Sequence, residues 1–253
     1  MKTIDLNCDM GEAFGNYGMP NDEKLMDYIS SANIACGFHA GDPAVMQQTV
    51  VLAVKKGVAI GAHPGLADLQ GFGRREINIT ASEAYQLTIY QIGALSGFVK
   101  AAGGKLHHVK AHGALYNMAA KDVNLAKAVV QAVYDFDPGL ILYALAGSKM
   151  ISEAADKGIV TASEVFADRT YQDDGTLTPR SVANAIIKSE DEAIKQVFDF
   201  ALKQEVNSIN GNRISVNAET LCLHGDGEHA VAFARLISEL LTKEGVSIKA
   251  PRV

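Results

Sequence analysis

With 253 residues, 48% of them apolar and 21% charged, the chain has material for a sizeable core, which excludes global disorder. A net charge of −6 with no Lys/Arg run excludes an electrostatic footprint for nucleic acid or a membrane surface, and no apolar stretch approaches the roughly 18 residues of a transmembrane helix. The three cysteines, Cys8, Cys36 and Cys222, fall in apolar strand patterns and predict buried, reduced thiols in a cytoplasmic protein.

The first predicted strand, Thr3 to Cys8, begins at once and leaves no room for a signal peptide. It sets Ile4, Leu6 and Cys8 on one face and Asp5, Asn7 and Asp9 on the other. A glycine-rich loop around Gly15 follows, then a short helix over Asp22 to Ile29. The second strand runs from Asn33 to His39, with Ile34, Cys36 and Phe38 apolar and the opposite face small or polar. Asp42 is an N-cap and Pro43 a first helical residue, opening a helix to Lys56 that Gly57 stops. The third strand spans Val58 to His63. A long loop carries Gly71-Phe72-Gly73-Arg74-Arg75, and Thr80-Ala81-Ser82-Glu83 is a capping box for a helix to Ala102. The fourth strand, Leu106 to His112, aligns His108, Lys110 and His112. A helix over Asn124 to Phe136 precedes the fifth strand, Leu140 to Ala146, and Ser148 caps the helix ending at Gly158. The sixth strand, Ile159 to Ala167, alternates Glu164, Phe166 and Asp168, with Arg169 beyond. A polar loop spans 170–179, a second capping box at Ser189 to Glu192 starts a helix to Gln204, and 207–213 reads as loop. The seventh strand is Thr220 to His224, and a last helix covers Glu228 to Lys243. An eighth strand over Val246 to Lys249 has only a weak signal.

Strands alternating with helices predict a parallel α/β sheet. Central strands of an open doubly wound sheet are apolar on both faces, whereas several strands here have one apolar and one small or polar face. Reactive groups also stand at six or more strand ends rather than at one reversal point. The expectation is a seven-stranded parallel β/α barrel, 1–253 as a single domain, with its site at the C-terminal mouth.

That mouth would collect Asn7, Asp9, Glu12, Asn33, His39, His63, Lys110, His112, Glu164, Asp168, Arg169, His224 and Asp226. Burying so many ionisable groups together is costly unless they pair or bind something. Asp5 and His108, inside their strands, read as structural hydrogen-bonders. Two chemistries fit the rest. Asp9, His39 and His63 suit an Asp/His/His metal site with a bound water. Without metal, Asp9 or a histidine is a general base on water while Lys110 and Arg169 stabilise negative charge. Gly71 and Gly73 with Arg74 have the composition of an anion clamp. No P-loop, kinase motif set or G-x-S-x-G elbow is present.

The runs Asp5-Leu6-Asn7-Cys8-Asp9-Met10-Gly11-Glu12, Ser31 to Asp42, Gly61-Ala62-His63-Pro64, Gly71 to Arg75, Val109 to Tyr116, Glu164 to Arg169 and Leu223-His224-Gly225-Asp226 resemble the LamB/YcsF family over nearly the whole chain. The resemblance implies a seven-stranded β/α barrel similar to that of sugar deacetylases. It also implies membership, with two other 5-oxoprolinase subunits, of an enzyme that opens 5-oxoproline to L-glutamate while hydrolysing ATP. ATP is then a co-substrate, with a divalent cation such as magnesium accompanying it. For that reaction the strand-end reading sets Asp9, His39, His63, Lys110 and His112 as the expected catalytic set, and Asn7, Glu12, Asn33, Gly71, Gly73, Arg74, Glu164, Arg169, His224 and Asp226 as the expected substrate- or phosphate-binding set. The missing P-loop assigns phosphorylation, wholly or in part, to a partner chain. Loops around Gly15, Gly71 and Asp173 overhang the mouth and are candidates to face partners; a homo-oligomer is compatible with the sequence. Two alternatives stand beside this reading, a stand-alone metal-dependent amide or acetyl-sugar hydrolase and a non-catalytic regulatory subunit.

Overall fold

The computed structural model describes residues 2–15, 17–223, 225, 227 and 229–252. In chain order the elements are β1 (Thr3–Met10), α1 (Asp22–Leu25), β2 (Ser31–Ala35), α2 (Pro43–Lys56), β3 (Ala59–His63), α3 (Ala81–Ala101), β4 (Leu106–Lys110), α4 (Gly113–Lys121), α5 (Val123–Phe136), β5 (Ile141–Leu145), α6 (Lys149–Lys157) and β6 (Thr161–Phe166). Then come α7 (Glu190–Phe198), which runs into a π-helical turn at Asp199–Lys203, β7 (Glu205–Asn207), β8 (Arg213–Ser215), β9 (Thr220–Leu223), α8 (Ala230–Lys243) and β10 (Ser247–Ile248). The order β1-β2-β3-β4-β5-β6-β9 is parallel throughout, and β9 pairs with β1, so seven strands close into a barrel. Strand β10 pairs with Thr3 and Ile4 of β1, outside this closure, and β7–β8 is a separate antiparallel pair. The weak eighth strand therefore exists, but it is not a stave. Among the described residues, no helix is long and apolar enough to cross a membrane.

Alternation along the strands divides the interior from the shell. Leu6, Ile34, Ile60, Val109, Leu142, Val165 and Leu221 are fully or nearly fully buried in one apolar cluster shared with the helices. The barrel lumen is filled instead by Asp5, Asn7, Ser31, Asn33, His108, Tyr143 and Thr220, buried and linked by hydrogen bonds, and by Glu164, buried and bonded to Tyr116 and Lys110. Gly61 is part of that filling. A Cβ there would lie 2.1 Å from His108 Nε2, so glycine is needed for the imidazole to reach across β3 to Asn33.

Several boundaries shift from the sequence expectation. The second strand stops at Ala35, because Gly37 turns at φ 90° and its N–H bonds to Ala40 O at 2.9 Å. Phe38 leaves the strand pattern and packs beside Tyr90 on the outside. The fourth strand stops at Lys110, and α4, unforeseen in the sequence, begins at Gly113. The predicted loop at 207–213 is the turn between β7 and β8, whose end residues Asn207 and Arg213 pair. Asp42 caps α2 through the N–H groups of Ala44 and Val45, and the Thr80/Glu83 capping box forms in both directions. Ser148 occupies the N-cap position of α6 but its hydroxyl makes no capping bond.

Candidate active site

The site grows from the lumen upward. At the base of β1, Asp5 accepts hydrogen bonds from Ser30 Oγ at 2.5 Å, Ser31 Oγ at 2.7 Å and Thr220 Oγ1 at 2.5 Å. One step up, Asn7 Nδ2 donates to Thr220 Oγ1 at 2.7 Å, and Asn7 Oδ1 accepts from Asn33 Nδ2 at 2.8 Å and Lys110 Nζ at 3.1 Å. Asn33 Oδ1 accepts from His108 Nε2 at 2.8 Å, and its Nδ2 also donates to Asp9 Oδ1 at 2.9 Å. Each side chain in this series orients the next, ending at Asp9 on the third step. Asn7 and Asn33 thus lie beneath the mouth as buttresses.

Lys110 sits 2% exposed, with Asp9 Oδ1 at 2.9 Å, Glu164 Oε1 at 2.7 Å and Cys222 Sγ at 3.2 Å. Burial works against its ammonium, but the carboxylates of Asp9 and Glu164 outweigh it and hold its pKa well above the ordinary value. It is a fixed positive charge rather than the neutral amine a nucleophile requires. Glu164 is completely buried and takes a second bond from Tyr116 OH at 2.7 Å, which places it below the cavity as the counter-charge to Lys110.

Above this pair stand the imidazoles. His63 Nδ1 lies 2.7 Å from Lys110 O and His112 Nε2 lies 2.8 Å from Phe72 O. A carbonyl only accepts, so these two nitrogens carry the ring protons and donate. His63 Nε2 then faces Asp9 Oδ2 at 3.2 Å and His112 Nδ1 at 2.9 Å. Glu12 Oε1 closes the group, 3.4 Å from His112 Nδ1 and 3.1 Å from His39 Nε2. His39 stacks flat on His112, ring centroids 3.7 Å apart, and comes from the turn after β2 rather than from the strand. Burial opposes ionisation of Asp9, but His63 and Lys110 prevail and hold its carboxyl well below the usual range. For Glu12, burial and then Asp9 prevail, pushing it up to about 8. Burial also drives His39 and His112 below the ordinary imidazole range.

The loop read as an anion clamp has a different construction. Gly71 N–H donates to Asp68 Oδ1 at 3.0 Å, Gly73 N–H to Asp68 O at 2.9 Å, and Arg75 pairs with the Asp68 carboxylate. Both glycine amides are committed within the loop. Gly73, at φ 62°, lies so close over the histidines that a Cβ would sit 2.6 Å from His39 Cβ. The loop is a cover on the imidazoles, and Arg74, held over the Phe72 ring at 5.0 Å, is the member that reaches the cavity.

That cavity, about 310 Å³, is lined by Asp9, His63, Lys110 and His112 below and by Arg74, Arg169 and Arg180 above. Arg169 also pins the loop around the rim, donating from Nε to Ala185 O at 3.2 Å and from Nη2 to Thr178 O at 2.6 Å. Glu12 and His39 lie behind His112, outside the cavity lining. His224 and Asp226 fall outside the described residues. Arg180, Tyr116 and Asn117 escaped the sequence reading. Tyr116 stands four residues after His112, one helical turn on the same face, which a helix prediction at Gly113 would have exposed.

A closed seven-stranded parallel β/α barrel with ionisable groups converging on its C-terminal mouth has the architecture of a barrel enzyme. The LamB/YcsF family matches residues 4–253, and the chain belongs to it. It is 58% identical over 253 residues, the full length of both chains, to a protein of Bacillus cereus (strain AH187) named as the A subunit of 5-oxoprolinase. A protein of the same name from Tolumonas auensis is 56% identical over 250 residues, 99% of this chain and 100% of the relative. The crystal structure of a lactam utilization protein from Thermus thermophilus superposes with a TM-score of 0.92 at 43% identity, covering 98% of this chain and 100% of the other.

Proposed function

We propose that this chain is the ring-opening subunit of an ATP-dependent 5-oxoprolinase, working with two partner subunits to convert 5-oxoproline and two waters to L-glutamate as ATP becomes ADP and phosphate. The observation that carries the reading is the cavity, with a carboxylate–imidazole pair on its floor and three arginines at its rim. Similarity along the whole chain to proteins named as the A subunit of 5-oxoprolinase supports the substrate.

The chemistry follows from the lactam. A five-membered amide is unactivated, and its nitrogen is a poor leaving group. Transfer of the ATP γ-phosphoryl group to the amide oxygen makes the ring carbon electrophilic. Water adds to that carbon, giving up a proton to Asp9 Oδ2, which Lys110 and Asn33 hold from the other oxygen. The C–N bond then breaks as the nitrogen takes that proton, and a second water hydrolyses the resulting acyl phosphate. Arg74, Arg169 and Arg180 hold the phosphoryl group and the α-carboxylate. The chain has no P-loop, so a partner subunit performs or shares the phosphorylation.

The test is 5-oxoproline cleavage by this chain alone, with its partners, and with ATP omitted. Turnover only in the complete mixture is expected. Turnover by the chain alone without ATP would select a stand-alone amide hydrolase, and full ATP-coupled activity in Asp9→Asn would sink the assignment of Asp9.

A further inference from the structure

The orientation of two imidazoles leaves an electrostatic conflict. His63 and His112 each spend their ring proton on a main-chain carbonyl, Lys110 O and Phe72 O respectively. With both rings neutral, their remaining nitrogens, His63 Nε2 and His112 Nδ1, present lone pairs that face one another at 2.9 Å; a proton on His63 Nε2, shared with Asp9, is what a cation replaces. Around the same point lie Glu12 Oε1, 3.4 Å from His112 Nδ1, and His39 Nε2, 3.1 Å from that oxygen. Asp9 Oδ2 stands 3.2 Å from His63 Nε2. With the rings neutral and Glu12 ionised, acceptors of four side chains, His63, His112, Glu12 and Asp9, converge here, and His39 Nε2 faces the Glu12 oxygen as its donor. The three histidines are each 3% exposed or less, so water does not relieve the repulsion.

We infer that Glu12, His39, His63 and His112 form a binding site for one divalent transition-metal cation of the zinc class. Donor atoms of these four side chains all lie within 4.8 Å of one another. A cation about 2.1 Å from His63, His112 and Glu12 subtends about 90° across the 2.9 Å His63–His112 gap and about 110° across the 3.4 Å His112–Glu12 gap, while a donor pair as wide as 4.8 Å closes by about 0.6 Å to share it. Those angles fall within ordinary four- to six-coordinate geometry. The outer N–H bonds of His63 and His112 to fixed carbonyls are the support that metal-bound imidazoles need to hold tautomer and ring orientation. The cover loop completes the shape, since Gly73 packs directly on His39 and His112 with no room for a side chain. Three imidazoles with one carboxylate select zinc, cobalt, manganese or iron over magnesium or calcium, which prefer oxygen ligands. The set differs from Asp9, His39 and His63 expected from sequence: Asp9 is drawn off by Lys110 and Asn33 on Oδ1 and stands at the edge. Asp9, His63 and His112 line the cavity, so a cation here would adjoin the bound lactam. The inference concerns the same mouth as the proposed function, but its test uses neither lactam nor ATP nor partners, so the two stand or fall separately.

Chelator-treated full-length protein is titrated with Co²⁺ and Zn²⁺ by calorimetry and visible absorption, with metal content measured after dialysis. One ion per chain is expected, with visible Co²⁺ ligand-field bands and at least about tenfold weaker binding in His112→Gln and Glu12→Gln. For wild-type protein, ¹⁵N imidazole spectra should show Zn²⁺ shifting His63 Nε2 and His112 Nδ1 while their outer N–H signals persist; this readout stands if the variants do not fold. The inference is overturned by absence of stoichiometric uptake, by uptake that leaves those two nitrogens unshifted, or by folded variants that bind as tightly as wild type. A metal-free spectrum in which a proton shared between His63 and His112 blocks uptake also overturns it.

Discussion

Asp5 and Asp9 lie four residues apart on the same face of β1 and meet opposite electrostatic fates. Around Asp5 the partners are neutral hydroxyls from Ser30, Ser31 and Thr220, and burial pushes its carboxyl up from the ordinary range despite them. Burial pushes Asp9 the same way, but His63 and Lys110 reverse it, and the carboxylate stays ionised. The histidines divide similarly. His108, in the lower layer, donates to Asn33 and sits 4.0 Å from the Tyr143 ring in a stacked pair, its needs met locally. His112, four residues further along the chain, faces another lone pair and a carboxylate. The lower layer is a closed hydrogen-bond network that fixes strand register. The upper layer concentrates charge and unshared electron pairs that only a ligand, proton or cation relieves. Polar residues in one lumen thus separate into structural and chemical groups by whether their partners complete them.

The comparison breaks most visibly at the join. Replacing Lys110 with methionine strands Asp9 and Glu164 as buried, unpaired carboxylates, and a loss of about 3–5 kcal/mol is expected in urea denaturation. Ring opening in the reconstituted complex should vanish with it. In the upper layer, Asp9→Asn keeps an acceptor for Lys110 and Asn33 but removes the proposed base, so the rate should fall about 10²- to 10⁴-fold with a far smaller change in stability. In the lower layer the pattern should invert. Ser31→Ala removes one bond to Asp5 and the contact with Tyr143 OH, costing about 1–2 kcal/mol while kcat holds. A Ser31→Ala enzyme that melts normally but turns over ten times more slowly would erase the division between layers.

The period-two pattern made the barrel legible, because each stave carries its apolar residues on the helix-facing side and its polar ones on the lumen side. Asp9, His63, Lys110 and His112 could be placed at the mouth for the same reason. Pattern says nothing about where a strand hands over to a turn, so the alternation runs on to His39 although Gly37 bends the chain before it. Nor does it carry tautomers or partners. That His63 and His112 oppose lone pairs depends on Lys110 O and Phe72 O, main-chain atoms invisible to any residue count. The glycines at 71 and 73 misled in a similar way. Their composition suited an anion, yet a residue within the loop, Asp68, takes both N–H groups through its side chain and backbone.

The Asp68 carboxylate supports the smallest effect. Its hydrogen bond and ion pair with Arg75, then the Gly71 N–H, lower the Asp68 pKa from its ordinary value. The folded protein therefore binds fewer protons at Asp68 than the unfolded chain between the two pKa values. The stabilisation is fully present above the unfolded pKa of about 3.9 and is lost as pH falls through the folded value. Asp68→Asn has no such titration. Its melting temperature should lie slightly below wild type at pH 6, and the gap should close as the pH drops below about 4. The cover rests on the histidines through Gly73, so the same variant should raise hydrogen exchange at 68–75 while the β1 to β4 amides beneath stay protected. Exchange that rises equally in both would mean that cover and mouth unfold as one unit, and the layers would be coupled through the loop as well as through Lys110.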